Sequence, residues 1–372
     1  MLRRVGPEAI VRFGLDDVRT HALRNVAQCR TAALGGHLAV CTSCAAVHPR
    51  YNSCRNRHCP QCQGMRRREW AVQQTERMLP VPHFMVVFTL PGALRPLAAA
   101  NPGLVYDAVL VAASDTLAAL ARRKYNGRLG VTAVLHTWNR EMGYHVHVHA
   151  LVSAAVLAGD DVVRIDEDWL FHRRRLSRAF RHRVMQSLAK AHADGLLDTG
   201  KWSFATWRQK AHKQDWHVGV EPPRGRHRAD VVRYLARYVY SVAISDSRVL
   251  DVTANTVVIA TRAGQKLRLD KPEFVRRWSL HVLPPGFRKV RHTGLYAPAA
   301  GALRERARSL LPAEPPPPPS SPQQPPDAPV SVEVPSRPCP SCGAPLITVA
   351  VEHLALVLRL LARTSNRARG PP

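Results

Sequence analysis

Acidic residues are scarce in this sequence of 372 residues. Asp and Glu together number 27 against 54 Lys and Arg, which gives a formal net charge of +27. The basic residues occur throughout residues 1–310, in patches such as 66–68 and 173–175, so the excess belongs to the folded part of the chain. An Arg-rich composition alone would not explain the missing acids. We therefore expect a polyanionic partner, and nucleic acid fits better than a membrane surface.

Long hydrophobic runs are also missing. No run of 18 or more apolar residues occurs, and the basic start of the chain is not followed by a continuous apolar stretch. This pattern predicts neither a spanning helix nor a signal peptide and indicates a cytoplasmic protein. In that compartment, eight cysteines grouped mainly in CxxC pairs are expected to bind metal rather than to form disulfides.

The chain divides by composition into four segments. Residues 1–80 hold a helical start, a cysteine-rich module and a basic helix, and residues 81–311 alternate between strand and helix patterns. Residues 312–338 form a Pro-rich linker that is expected to be extended and stiff, and residues 339–372 are a small segment with a CxxC pair and a tail. The short polar link between the strands predicted at 131–138 and 145–152 predicts antiparallel pairing.

The cysteine-rich module predicts a structural zinc site. Two CxxC pairs enclose 14 residues, a spacing that lets four thiolates converge on one tetrahedral ion, and so we assign zinc to Cys41, Cys44, Cys59 and Cys62. A module of about 35 residues has too small a core to fold unaided, so the metal would contribute much of its folding free energy. A second, interleaved site could use Cys29, His37, Cys54 and His58.

Alternative explanations remain for the other candidate ligands. Cys29 and Cys54 are equally well explained as buried or idle thiols, and His58 as a phosphate contact or a turn cap. The pair Cys339 and Cys342 is half of a site with no partner after it in the sequence. It could share a metal with a second chain, use an upstream histidine, or be a decayed pair.

Histidines occupy every second position of a predicted strand. His145, His147 and His149 therefore lie on one face, while Val146 and Val148 lie on the other. Three imidazoles on one face are costly to bury without a metal or an acid. The pattern predicts a metal site to which this strand supplies two or three ligands. Imidazole suits transition metals better than magnesium.

Two tyrosines follow on a predicted helix at residues 229–241. Tyr234 and Tyr238 are four residues apart and share one face. Alone, this pattern is typical of an aromatic stripe that packs on a sheet. Beside a metal it indicates nucleophiles, because a phenol with a pKa of about 10 needs a nearby cation to attack a phosphodiester. The product would be a 5′-phosphotyrosine, which conserves the bond energy for rejoining.

Seven motifs in the same order resemble those of the two-tyrosine HUH transposases of the insertion sequence 91 group, which move single strands by a rolling-circle route. The resemblance covers most of residues 20–300 and rests on ALGGHLAVCTSC, YNSCRNRHCPQCQ, VVFTLP, VLHTW, HVHVHALV, YLARYVYSVAIS and LPPGFRKVRHTGLY. The CPSCG motif near the end is similar too.

The resemblance implies an α+β fold, in which an HUH-type central antiparallel sheet flanked by helices follows a small zinc-binding module. It implies a transposase that nicks and rejoins single-stranded DNA at element ends, with structural Zn²⁺ and catalytic Mg²⁺ or Mn²⁺. By motif, His147 and His149 match the metal-binding pair, and His145 matches the histidine just before it. Tyr234 and Tyr238 match the nucleophiles, and the cysteines within residues 41–62 match the zinc module.

The chain departs from the family pattern at two places. Tyr240-Ser241 stands where the family usually has His-Arg, and His145-Val146-His147 stands where it commonly has His-Pro-His. The third metal ligand is therefore open, with His145 favoured over His292.

Two other functions share part of this pattern. A zinc-dependent DNA-binding protein without catalysis, such as a decayed transposase, would use the cysteine module and the basic helix alone. A replication initiator or conjugative relaxase would share the chemistry, but the long zinc module favours the transposase.

Overall fold

The computed structural model describes residues 2–165, 170–223, 242–262, 264–312 and 338–349, together with positions 231, 232, 235, 236 and 239. The side chains at 2–7, 64–66, 68 and 69 are not described. The predicted nucleophiles Tyr234 and Tyr238, the Tyr240-Ser241 departure, nearly all of the Pro-rich linker and the tail from 350 lie outside the described residues.

Helices and strands alternate along most of the described chain. The helices are α1 Leu2–Phe13, α2 Asp17–Gln28, α3 Gln63–Arg77, α4 Arg95–Ala100, α5 Pro102–Tyr125, α6 Arg173–Ala193, α7 Phe204–His212, α8 Lys271–Ser279 and α9 Gly301–Ser309. The strands are β1 Gly36–Cys41, β2 Val47–Tyr51, β3 His83–Thr89, β4 Arg128–Trp138, β5 Tyr144–Ala158, β6 Asp161–Arg164, β7 Val218–Glu221, β8 Val249–Val252, β9 Thr256–Ala260, β10 Lys266–Asp270, β11 Val290–Gly294 and β12 Leu346–Val349.

The central sheet has the strand order β11-β4-β5-β3-β7, and β6 pairs with β5. All of its pairings are antiparallel. The turn between β4 and β5 is held by Asn139, whose Oδ1 accepts hydrogen bonds from the amides of Glu141 and Gly143 at 3.0 and 2.7 Å. The predicted α+β class with antiparallel sheets is confirmed.

One face of the central sheet is covered by helices α5 and α6. The even-numbered residues of β5, such as Val146 and Val148, point to this side and belong to one buried cluster with residues such as Leu110 and Phe180 of the two helices. Helix α5 ends at Tyr125, and its C-cap residue Asn126 adopts a left-handed conformation with φ of 50°. This face is an apolar core, so the polar residues of β5 lie on the other face.

The opposite face packs against the described residues Val231, Leu235 and Val239. Val231, Leu235 and Val239 are helical, buried and four residues apart, a spacing that puts them on one side of a helix. They belong to the same buried cluster as Val134 of β4 and Leu151 of β5. Leu151, His149 and His147 are at every second position of β5 and therefore share one face, so the three helical residues lie over the histidine face of the sheet.

Two smaller sheets complete the described structure. The order β12-β1-β2 brings the strand at residues 346–349 beside the cysteine-rich module. The order β10-β9-β8 forms the second, and α2 and α8 share a core with it through Leu23, Phe274 and Ile259.

Helix α5 is long and apolar enough, by composition, to cross a membrane. It is the one such helix among the described residues, and 61% of its most apolar window is buried inside the protein. It contacts α6, β4 and β5. The burial is that of a core helix.

Tyr296 fills a buried position beside the central sheet. Its hydroxyl lies 2.5 Å from Nε2 of His83 and accepts the amide hydrogen of Leu79 at 3.3 Å. The ring lies close to Gly130, where a Cβ atom would be only 2.6 Å from ring carbons. One hydroxyl thus joins the start of β3 to the segment after β11.

We predict that Tyr296→Phe lowers the free energy of unfolding by about 1–3 kcal/mol, because it leaves buried polar groups without their shared hydroxyl partner. Chemical denaturation measures the difference. The matched control is Tyr51→Phe, in which an exposed tyrosine of β2 loses the same atom; it should change stability by less than about 0.5 kcal/mol. Equal effects of the two substitutions would contradict the assigned role of the hydroxyl.

Candidate functional site

Three histidines from two neighbouring strands converge on the sheet face opposite α5. The register places His136 of β4 directly opposite His147 of β5 and places Val134 opposite His149. One ligand nitrogen from each of His136, His147 and His149 lies within 4.8 Å of the other two. The ring centroids are 4.8–5.3 Å apart. This arrangement can hold one metal ion.

The hydrogen bonding of His147 suits a metal ligand. Its Nδ1 lies 2.9 Å from the carbonyl oxygen of His145, and because a carbonyl only accepts, Nδ1 carries the proton. The lone pair of Nε2 is then available to an ion. Burial lowers the pKa of His147 to about 4, although the hydrogen bond to His145 acts in the opposite direction. Burial also lowers the pKa of His149 to about 3. Both rings are therefore neutral at pH 7, the form that binds metal.

His136 belongs to the three-histidine group but was not among the metal ligands predicted from the sequence. It is 4% exposed and its ring stacks on Trp138 at 4.6 Å between centroids. A single histidine in a strand carries no pattern of its own. The signal that could have found it is its motif, VLHTW, on the strand expected to pair with the histidine strand.

The structure leaves both sequence candidates for the third ligand outside the three-histidine group. His145 is half-buried, and its Nδ1 is 3.4 Å from Nη2 of Arg95. Burial, helped by Arg95 and His217, lowers its pKa. His292 of β11 lies opposite Thr132, and its Nδ1 is 3.0 Å from the hydroxyl of that residue. Among the described residues, the third member of the histidine group is His136 and not His145.

The cysteines form two groups of four, with a different pairing from the one that the sequence predicted. The sequence predicted one site made of Cys41, Cys44, Cys59 and Cys62, but the first two of these lie in a different group from the last two. The first group is Cys29, Cys54, Cys59 and Cys62, and the second is Cys41, Cys44, Cys339 and Cys342. The reason is that Cys41 ends β1, beside β12, whereas Cys59 and Cys62 flank the turn that leads into α3.

The two histidines proposed for a second zinc site lie in neither cysteine group. His37 is exposed on β1 opposite Arg50. His58 is largely buried, and its Nε2 accepts the amide hydrogen of Leu283 at 3.3 Å. Burial, with Arg57 nearby, lowers the pKa of His58 to about 3. Its ring therefore stays neutral and contacts the chain just before β11.

The cysteine module is attached to the central sheet close to the histidines. The guanidinium of Arg57 donates hydrogen bonds to the carbonyl oxygens of Phe287 and Pro284 at 2.5 and 2.7 Å. Two residues after Phe287, the carbonyl oxygen of Lys289 accepts the amide hydrogen of Leu135, next to His136. The LPPGF motif thus connects the module to the strand that carries His136.

Comparison with known proteins finds one family model for the part of the chain that carries the histidines and another for the part that carries the cysteine module. A family model described as "Putative transposase" matches residues 130–304, which include all three histidines, and one described as "Transposase zinc-binding domain" matches residues 1–90. "Putative transposase y4qJ" of Sinorhizobium fredii is 33% identical over 298 residues, which are 75% of each chain. The chain belongs to the IS91 family of transposases.

A second relative extends the similarity along almost the whole transposase. The "Transposase for insertion sequence element IS801" of Pseudomonas savastanoi pv. phaseolicola is 28% identical over 360 residues, 92% of this chain and 86% of that one. No solved structure matches the transposase. The predicted family is confirmed, and with it DNA as the partner and zinc as the metal that the cysteines support.

We predict that His136→Ala weakens the binding of Mn²⁺ by at least tenfold, equivalent to about 1.4 kcal/mol, because it removes one of three ligands. Isothermal titration calorimetry of the zinc-loaded protein measures this. His292→Ala is the matched control, since that histidine lies on the same sheet face outside the group. An unchanged affinity in His136→Ala with a loss in His145→Ala would return the third-ligand role to His145.

Proposed function

We propose that this transposase nicks and rejoins single-stranded DNA at the ends of a mobile element through a 5′-phosphotyrosine intermediate. Tyr234 and Tyr238 are the proposed nucleophiles. The observation that carries the proposal is that the three-histidine group and the described residues of the 231–239 segment occupy the same face of the central sheet.

The residue that follows each proposed nucleophile in the sequence is among the described residues. Tyr234 is bonded to Leu235, and Tyr238 is bonded to Val239. Leu235 and Val239 share a buried cluster with Val134, which is two residues from His136 along β4, and with Leu151, which is two residues from His149 along β5. The described residues Leu235 and Val239, which follow the two tyrosines in the sequence, therefore lie on the sheet face that carries the proposed metal site.

His136, His147 and His149 would hold the catalytic divalent ion. Such an ion supplies Lewis acidity at the scissile phosphate and a positive charge that favours the phenolate over the phenol. The donor set is three neutral imidazoles, which suit manganese better than magnesium. We therefore expect Mn²⁺ to support activity at lower concentration than Mg²⁺.

The proposed cleavage is a transesterification. The phenolate oxygen of one tyrosine forms a bond to phosphorus, the bond from phosphorus to the 3′ oxygen breaks, and that oxygen takes up a proton from solvent. The 5′ phosphate stays on the tyrosine, so rejoining needs only the attack of a 3′ hydroxyl on the same phosphorus. Two tyrosines allow two strand ends to be held at once.

Charge explains how the substrate is attracted. The formal net charge of +27 provides cations for the phosphates of a single strand, and such binding weakens steeply with added salt. A non-catalytic DNA-binding protein would show the same salt dependence. Only the enzyme forms a covalent bond to DNA, so the decisive experiment must detect that bond.

We predict a covalent adduct when the purified protein is incubated with labelled single-stranded DNA that carries element ends and with Mn²⁺. Denaturing electrophoresis should show a shifted band that protease removes and that EDTA prevents. Tyr234→Phe and Tyr238→Phe together should abolish it, because phenylalanine has no nucleophilic oxygen.

Tyr240→Phe is the matched control for this experiment, since it changes a tyrosine of the same segment and should leave the adduct in place. Zinc content and DNA affinity, measured for each variant, identify any loss of folding. Tight binding of DNA by the unaltered protein without an adduct on any end sequence would favour the non-catalytic alternative. An adduct that survives the double substitution would exclude these two nucleophiles.

A further inference from the structure

The CPSCG motif near residue 340 lies beside β1, although 295 residues separate Cys44 from Cys339. We propose that Cys339 and Cys342 are the second half of a structural zinc site whose first half is Cys41 and Cys44 of the same chain. The site would fasten the segment at residues 338–349 onto the N-terminal module. The zinc-binding family model ends at residue 90 and contains only half of these ligands.

The two CxxC turns have the same backbone geometry. In the first, the amide of Ala45 donates to the carbonyl oxygen of Cys41 at 3.2 Å, and Ala45 has a left-handed φ of 56°. In the second, the amide of Gly343 donates to the carbonyl oxygen of Cys339 at 2.8 Å, with a φ of 76°. Each half is therefore a turn that points two sulfurs at one place.

The amide hydrogens of the first turn are directed at sulfur. The backbone nitrogens of Ser43 and Cys44 are each 3.4 Å from Sγ of Cys41. In the partner turn, Sγ of Cys339 is 3.4 Å from Nε2 of His48 on β2. Hydrogen-bond donors around a sulfur stabilise the thiolate, which is the form that binds metal.

The four sulfurs are spaced as zinc ligands are. Sγ of Cys41 is 3.4 Å from Sγ of Cys342, and Sγ of Cys44 is 3.7 Å from Sγ of Cys339. These separations are too long for disulfide bonds. With zinc–sulfur bonds of about 2.3 Å, tetrahedral geometry puts neighbouring sulfurs about 3.8 Å apart. The group thus needs little movement to close on an ion.

The other cysteine group leaves Cys41 and Cys44 without alternative sulfur partners among the described residues. Cys59 and Cys62 are already grouped with Cys29 and Cys54, where the Sγ atoms of Cys29 and Cys54 are 3.5 and 3.7 Å from Sγ of Cys62. Structural zinc takes four ligands. The second pair must therefore come from elsewhere, and the CPSCG motif supplies it.

Backbone pairing gives independent support for this position of the segment. Strand β12 adds to the edge of β1 with Val40 opposite Ile347 and Cys41 opposite Leu346. The amide and the hydroxyl of Thr42 both donate to the carbonyl oxygen of Pro345, each at 3.2 Å. A four-residue strand is too short to hold a distant segment alone, so we expect the metal to be required for docking.

The first test is the zinc content of the full-length chain. We expect the double variants Cys339→Ser/Cys342→Ser and Cys41→Ser/Cys44→Ser each to hold one zinc ion fewer per chain than the unaltered chain. Ser341→Ala, in the same turn, should keep the zinc content of the unaltered chain. An unchanged zinc content in the Cys339→Ser/Cys342→Ser variant would overturn the proposal.

A second test does not depend on the folding of a cysteine variant. A protease site is inserted in the Pro-rich segment at residues 313–337 of the full chain, and the cleaved protein is passed over a sizing column. The C-terminal fragment should co-elute with the body until a zinc chelator is added. Its separation in the presence of zinc would contradict the proposal.

Light scattering then distinguishes a site within one chain from a site shared by two. A shared site predicts an oligomer that dissociates in the Cys339→Ser/Cys342→Ser variant, and that result would overturn the assignment to a single chain. An unchanged molecular mass, together with the loss of one zinc, is the result we expect. None of these three measurements involves DNA cleavage, so they are independent of the proposed activity.

Discussion

The antiparallel pairing of β4 with β5 is the constraint on which the candidate site depends. Its register places His136 opposite His147, and the alternation of side chains puts His149 on the same face. A slip of one residue would turn the β5 histidines toward the apolar core beneath α5 and replace them with valines. The Asn139 turn and the buried Val146 and Val148 therefore maintain the three-histidine group as well as the fold.

The attachment of the cysteine module to the sheet follows from the same strand. Arg57 and His58 of the module bind the backbone between residues 283 and 287, and Lys289 then pairs with Leu135 beside His136. The module is thus held against the strand that carries His136. In the IS91 family context, this gives the zinc-binding part of the chain a structural connection to the part where DNA would be cleaved.

Local patterns in the sequence predicted much of this arrangement. Period-two alternation predicted that His147 and His149 share one face, and the short polar link predicted that β4 and β5 are antiparallel. His136 was missed because a single histidine shows no period, and its role depends on a register that only the folded turn determines. The cysteine turns were recognised for the same local reason, but their pairing was not, because Cys41 and Cys342 come together only through contacts 301 residues apart. Tyr234 and Tyr238 stay predictions from spacing and resemblance.

The most direct test of the central claim is a crystal structure grown with Mn²⁺ and a single-stranded element end, with data collected to show anomalous scattering from manganese. We predict a manganese peak bounded by Nε2 of His147 and by ring nitrogens of His136 and His149, on the sheet face against which Leu235 and Val239 pack. We also predict the hydroxyl of Tyr234 or Tyr238 next to the scissile phosphate. A manganese peak held by His145 without His136, or DNA bound on another face, would contradict the account.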